Sequence, residues 1–148
     1  MTTTTKAVRR ARDRGRWISA GAAILLAGLV VFQIALAAGA PVGRAAYGGA
    51  TDEPGLQLRV SSIFAAVIWS FAALVILSRG GHRVPRPLPD RAMPIAMWLI
   101  VGLLSVGLIL NLITPSQLER LIWAPVSAAL VASTVAVELA ARRRRRAS

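Results

Sequence analysis

Four long apolar runs, at residues 17–39, 60–78, 92–113 and 121–141, alternate with short stretches rich in arginine, glycine and proline. They hold 23, 19, 22 and 21 residues, or roughly 28 to 35 Å each as helix. A bilayer's hydrocarbon core is about 30 Å thick, so every run is long enough to cross one. The runs are hydrophobic on all sides, not along one stripe, which marks a membrane span or a deeply buried helix. A chain of 148 residues with four of them has too little polar sequence left to cover them all. The predicted fold class is therefore all-α: a polytopic membrane protein with an antiparallel bundle of four transmembrane helices. Residues 1–16 are expected to be a basic disordered tail and residues 142–148 a second basic tail.

The fourth run carries the clearest helix signals. Thr114 with Gln117, and Ser116 with Glu119, have the spacing of a capping box, and Pro115 suits a first helical position. Pro125 is expected in the first turns, where little intrahelical bonding is lost. Ala124, Ala128, Ala132, Ala136 and Ala140 recur at every fourth position, a small-residue ridge of the kind that lets helices approach closely in lipid. Ser62, Ala66 and Ser70 make a similar stripe on the second run. Glu138, one turn before the terminal arginines, is expected to pair with them or to reach outward.

The connectors differ in kind. Residues 40–59 hold Gly43, Gly48, Gly49 and Gly55 with Pro41 and Pro54, which forbid a continuous helix. This segment reads as a flexible loop, or as one folded back over the bundle. Residues 79–90 form a basic irregular connector in which His82 reads as a solvated loop residue, and Asp90 is a candidate cap for the third helix. The first run also resembles a secretory signal, with Ala35-Leu36-Ala37 as a cleavage site, but it exceeds the usual length of a signal core and further spans follow.

Charge gives the threading. Segments assigned to one side hold 15 basic residues (Lys6, Arg9, Arg10, Arg12, Arg14, Arg16, Arg79, Arg83, Arg86, Arg91 and Arg142 to Arg146), whereas the other side holds three, Arg44, Arg59 and Arg120. The acidic residues divide evenly. This imbalance is that of the positive-inside rule and puts both termini in the cytoplasm of a bacterial inner (cell) membrane. The net charge of +12 then points to anionic lipid headgroups, contacted by Arg142, Arg143, Arg144, Arg145 and Arg146, and not to nucleic acid.

Threaded this way, the chain collects polar side chains at its outer end. Gln33, Arg44, Arg59, Asn111, Glu119 and Arg120 form the candidate outer cluster, with Gln33 expected to face the bundle interior because an amide in lipid needs a partner. The plainer reading is hydrogen bonding between helices; the sharper one is a shallow site for a small solute or a lipid headgroup. Glu119 is further expected to pair with Arg44 or Arg59 and so pin the outer loop. With no cysteine and one histidine, the chain offers no thiolate or multi-histidine metal site, no cofactor motif and no nucleophile–base set.

Several of these residues also carry a resemblance. Gly39-Ala40-Pro41-x-Gly43-Arg44-Ala45-Ala46-Tyr47-Gly48-Gly49, the basic entry to the second run, Asn111-Leu112 and Ser116-x-x-Glu119-Arg120-x-x-Trp123-Ala124-Pro125 resemble an uncharacterised family of small bacterial four-span integral membrane proteins. The resemblance implies the four-span topology and an outer loop packed on the head of the fourth span; it implies no activity. Size and span count also resemble small multidrug-resistance exporters. Those place an essential carboxylate in the first span, and residues 17–39 contain no acid. The expected function is that of a non-enzymatic membrane protein, an accessory or assembly subunit, in a homo-oligomer or a larger membrane complex. The alternative is a small-solute or ion transporter or channel using the outer polar cluster.

Overall fold

The computed structural model describes residues 2–146, with side chains from Asp13 onward. Four α-helices form the molecule: α1 (Thr2–Ala37), α2 (Leu56–Gly80), α3 (Met93–Ile113) and α4 (Gln117–Arg146), and the described residues contain no strand. Each helix includes a segment long and apolar enough to cross a membrane, Asp13–Ala37 in the case of α1. The chain is thus an all-helical bundle and a multi-pass membrane protein by length and composition. The loop end carries residues 38–55 and the α3–α4 turn; the tail end carries the start of α1, the end of α4 and the α2–α3 connector.

The first basic tail departs from the disorder expected of it, and the second is helical too. Residues 2–16 continue α1, and residues 142–146 continue α4. Arginine and alanine are among the best helix formers, and neither segment contains a proline. Arginines in the last turn also suit the negative end of the α4 dipole. Residues 147 and 148 lie outside the described residues.

Local signals set the other ends. α2 stops at Gly81, whose φ of 93° is left-handed; Gly81 N donates to Ser78 O and His82 N to Leu77 O, both at 3.1 Å, the paired bonds of a Schellman motif. α3 begins at Met93 without a side-chain cap. Asp90 does not cap it, because Pro94 near the head of the helix shifts the start beyond that carboxylate's reach. Asp90 instead accepts from Arg86 at 3.3 Å. At the start of α4, Ser116 Oγ accepts from Glu119 N at 3.3 Å, the forward half of a capping box. The helix therefore begins at Gln117, and Pro125 falls more than two turns inside it, deeper than expected.

α1 packs along α2 and α4, α3 packs along α4, and the α2–α3 seam is the thinnest side of the ring. A close approach fixes the α1–α2 crossing. Gly80 lies so near Ser19 that a Cβ there would overlap the serine side chain. The buried core, Ala22 and Leu26 with Val75, Ile76, Met97, Ile100, Leu104, Leu130 and Val137, occupies the middle and the tail half. Outward faces are apolar as well: Val31, Phe64, Val67, Leu99 and Leu121 are all exposed. That is the reverse of a water-soluble surface and suits lipid contact.

The alanine ridge of α4 only partly follows the packing face, with Ala136 and Ala140 half-buried. Ala128 and Ala132 are exposed, while Ala124, Leu130, Thr134, Val137, Glu138 and Ala141 are buried. Four-residue steps overshoot the 3.6-residue turn, so a ridge five residues long winds away from a facing helix. The stripe on α2 divides too: Ser62 is buried, whereas Ser70 is exposed and bonds back to Ala66 O at 2.7 Å.

Candidate functional site at the loop end

The glycine-rich loop is folded down onto the bundle. It forms two short 3-10 turns, Gly43–Ala45 and Tyr47–Gly49, inside which Tyr47, Gly48 and Gly49 all have positive φ. Gly43 is needed for space, since a Cβ there would collide with the Thr51 and Asp52 carbonyls. Gly48 and Gly49 are needed for their left-handed backbone, which a side chain disfavours.

Contacts with α4 hold this loop. Glu119 Oε2 accepts from Gly48 N at 3.0 Å and from Thr114 Oγ1 at 2.7 Å. Trp123 Nε1 donates to Ala45 O at 2.6 Å, and Ser116 Oγ donates to Arg44 O at 3.3 Å. On the α2 side, the Tyr47 hydroxyl bonds to Leu58 O and to Ser62 Oγ. Glu119 thus pins the loop, though by a backbone amide and not by an arginine. The expected ion pair with Arg44 or Arg59 does not form because both guanidiniums are committed elsewhere. Arg44 makes a two-point pair with Asp52, within the loop itself. That hydrogen bond, and after it the Asp52 charge, holds the Arg44 pKa above its ordinary value. Arg59 Nε donates to Ala37 O at 2.8 Å, close against Gly39.

The six residues of the candidate cluster therefore divide into two groups. Gln33, Asn111 and Glu119 line one cavity of about 240 Å³ beneath the loop, in company with Leu29, Phe32, Trp69, Leu104, Gly107, Trp123 and Leu130. Arg44, Arg59 and Arg120 are not in its wall; Arg120 donates to Thr114 O at 2.6 Å. Gln33 faces the interior as expected. Asn111 Nδ2 donates to Ser127 Oγ at 3.0 Å, joining α3 to α4. Phe32 and Trp123 pack with ring centroids 4.7 Å apart and tie α1 to α4. The aromatic lining, Phe32, Trp69 and Trp123, was not anticipated; Phe32 beside Gln33, on the face an amide must turn inward, was the available signal.

At the tail end the structure adds a second polar cluster. Glu138 accepts from Arg79 at 2.7 and 3.2 Å and from Arg142 at 2.7 Å. The Arg79 and Glu138 side chains are only 5% and 1% exposed. The Arg142 partner matches expectation; Arg79 was missed, although it ends α2 at the level where Glu138 lies on α4. Arg142 also stands 5.5 Å over the Trp98 ring. Arg144 donates to Arg79 O at 2.9 Å and Gly80 O at 3.4 Å, covering terminal carbonyls of α2. Arg145 lies 3.8 Å from the Asp90 carboxylate. The five arginines expected at headgroups are thus not equivalent: all but Arg144 are exposed, yet Arg142, Arg144 and Arg145 also bond to the protein. His82 Nε2 lies 3.0 Å from Arg16 O, so it rests on α1.

Comparison with protein-family models, curated proteins and solved structures finds no match to this chain.

Proposed function

We propose that this is a non-enzymatic protein of a bacterial inner membrane, with both termini in the cytoplasm, acting as an accessory or assembly subunit and not as a conduit. The observation that carries this reading is the layer beneath the loop-end cavity. Leu26, Met97, Leu104 and Leu130 are buried there, and the buried Thr134 beside them spends its hydroxyl on Leu130 O at 2.7 Å. An ion or hydrated solute crossing that layer would therefore lose its hydration with little to replace it. Further toward the tails, Arg79 and Glu138 neutralise each other in a buried pair. The basic excess at the tail end supports the orientation. Exposed Arg143 and Arg146, with the groove between Arg86, Arg144 and Arg145, suit anionic headgroups on that side. The motif resemblance supports the same topology.

Reconstitution of the purified chain in proteoliposomes, with ion and small-solute flux measured across the membrane, tests the main claim. No flux above empty vesicles is expected. The transporter reading is favoured by the cavity itself, and flux lost on Asn111→Leu would establish it instead. Orientation is read separately, from reporters at Ser148 and Gly49, which should lie in opposite compartments.

A further inference from the structure

The division of the loop-end cluster fixes the charge of the cavity. With Arg44, Arg59 and Arg120 turned to other partners, the one formal charge in its wall is the Glu119 carboxylate. Both hydrogen bonds that Glu119 accepts fall on Oε2, and Oε1 has no partner among the described residues. Asn111 uses its Nδ2 on Ser127 and leaves Oδ1 without one. Gln33 makes no hydrogen bond among the described residues, and its amide is not sealed off. What the cavity offers at its polar end is thus biased toward accepting hydrogen bonds. Phe32, Trp69 and Trp123 line it as well, and aromatic rings attract cations through their negative faces.

The deeper wall is apolar, formed by Leu29, Leu104, Val126 and Leu130. Glu119 and Leu130 are 11 residues apart on α4, or about 16 Å along the helix, and the Asn111–Ser127 pair lies between them, so the charge sits at one end of the space and the greasy wall at the other. Its 240 Å³ falls just below the roughly 300–1,000 Å³ typical of drug-sized ligands. Trp69 of α2 and Leu104 and Gly107 of α3 both border it, behind the thin α2–α3 seam through which a membrane-dissolved molecule would enter.

We propose that this cavity binds a small amphiphile with a cationic amine head and one apolar chain, the amine on Glu119, the chain running past Gln33 and Asn111 among Phe32, Trp69, Leu104 and Leu130. Binding of this kind requires neither transport nor a particular orientation in the membrane, so it stands or falls apart from the reading above. A carboxylate head would meet Glu119 with like charge, and a neutral alcohol would forgo the charge-assisted bond.

The test uses the full chain in phosphatidylcholine nanodiscs, titrated with decylamine, decanol and decanoate and followed by tryptophan emission. Two variants separate binding from partition into the bilayer. Gly107→Leu fills the cavity, because no atom lies within 4 Å of the position of a Cβ at Gly107. Glu119→Gln removes the charge and keeps an acceptor for Gly48 and Thr114. Saturable decylamine binding is expected, roughly tenfold or more tighter than decanol and weakened to a similar degree by Glu119→Gln; Gly107→Leu should abolish it. Lipid analysis of the chain purified from native membranes distinguishes the sources: a co-purifying amine-headed lipid, about one per chain, marks a membrane ligand, and an empty chain that takes up added decylamine marks a free one. Equal response to all three probes, or decylamine binding unchanged by Gly107→Leu, would overturn the proposal. Should Glu119→Gln prove unstable, the decylamine–decanol ratio and Gly107→Leu still decide it.

Discussion

The two ends of the bundle handle a carboxylate in opposite ways. At the tail end, Glu138 is enclosed by Arg79 and Arg142, both its oxygens are used, and the pair is buried. At the loop end, Glu119 is partly buried, spends one oxygen on a backbone amide and a hydroxyl, and lines a cavity. A closed charge network joins helices and accommodates no further ligand. A carboxylate held by one oxygen both anchors a loop and keeps capacity for a ligand. The difference follows from what surrounds each acid: the tail end has guanidiniums in excess, whereas the loop end has three, each already bound to a carbonyl or to Asp52.

Breaking the tail-end network should have the largest effect. Glu138→Ala leaves Arg79 buried without its partner, and a loss of about 3–5 kcal/mol is expected from thermal or denaturant unfolding in detergent. Replacing both partners by leucine should recover most of it, since an apolar pair leaves no stranded charge. If the double variant is as unstable as the single one, the pair contributes more than mutual neutralisation. Next in size, Gly80→Ala forces a methyl into Ser19 at the α1–α2 crossing and should cost about 1–3 kcal/mol. A neutral result would mean that α1 shifts freely along α2.

The loop end should respond more gently and more locally. Glu119→Ala strands the Gly48 amide and the Thr114 hydroxyl, a loss of about 1–3 kcal/mol. Its signature is faster proteolysis within residues 43–55, whereas the tail-end variants should leave that loop protected until the bundle melts. Trp123→Phe keeps the contact with Phe32 but removes the bond to Ala45 O, and should cost about 1 kcal/mol with a similar, weaker cleavage pattern. Smallest of all is Arg44→Ala. The Arg44 and Asp52 side chains are 72% and 54% exposed, so no measurable change in melting temperature is expected. Because the Arg44 pKa is raised, the contribution of its charge is complete at neutral pH and lapses only in strong alkali. A large effect of Arg44→Ala would show the loop to be held from its outer side and not by α4.

Much of this was legible in the residues, for identifiable reasons. Span existence follows from composition over some twenty residues at a time, a signal that no single contact can reverse. Ser116 with Glu119 marked the head of α4 correctly because capping is local. Partner choice was less legible. Arg44 was available to Glu119 by sequence, but Asp52 lies in the same loop and takes it first. The alanine ridge looked like a packing face by spacing, yet the facing helix reads a 3.5-residue seam and buries Leu130, Thr134 and Val137 more deeply. The terminal arginines were expected at lipid headgroups, but a run of good helix formers continued α4 and carried Arg144 to the end of α2.

The sequence by itself determined four apolar spans, the breaks between them and the end at which positive charge accumulates, because each depends on local composition and on the thickness of a bilayer. Tertiary structure alone decided that Gly48 lies over Glu119, that Arg79 meets Glu138 59 residues away, and that three polar residues of six share a cavity while three arginines do not. Those outcomes turn on angles and distances between helices. Hydrophobicity drives the helices into lipid with no preference for register, and a few hydrogen bonds and close approaches then select one arrangement.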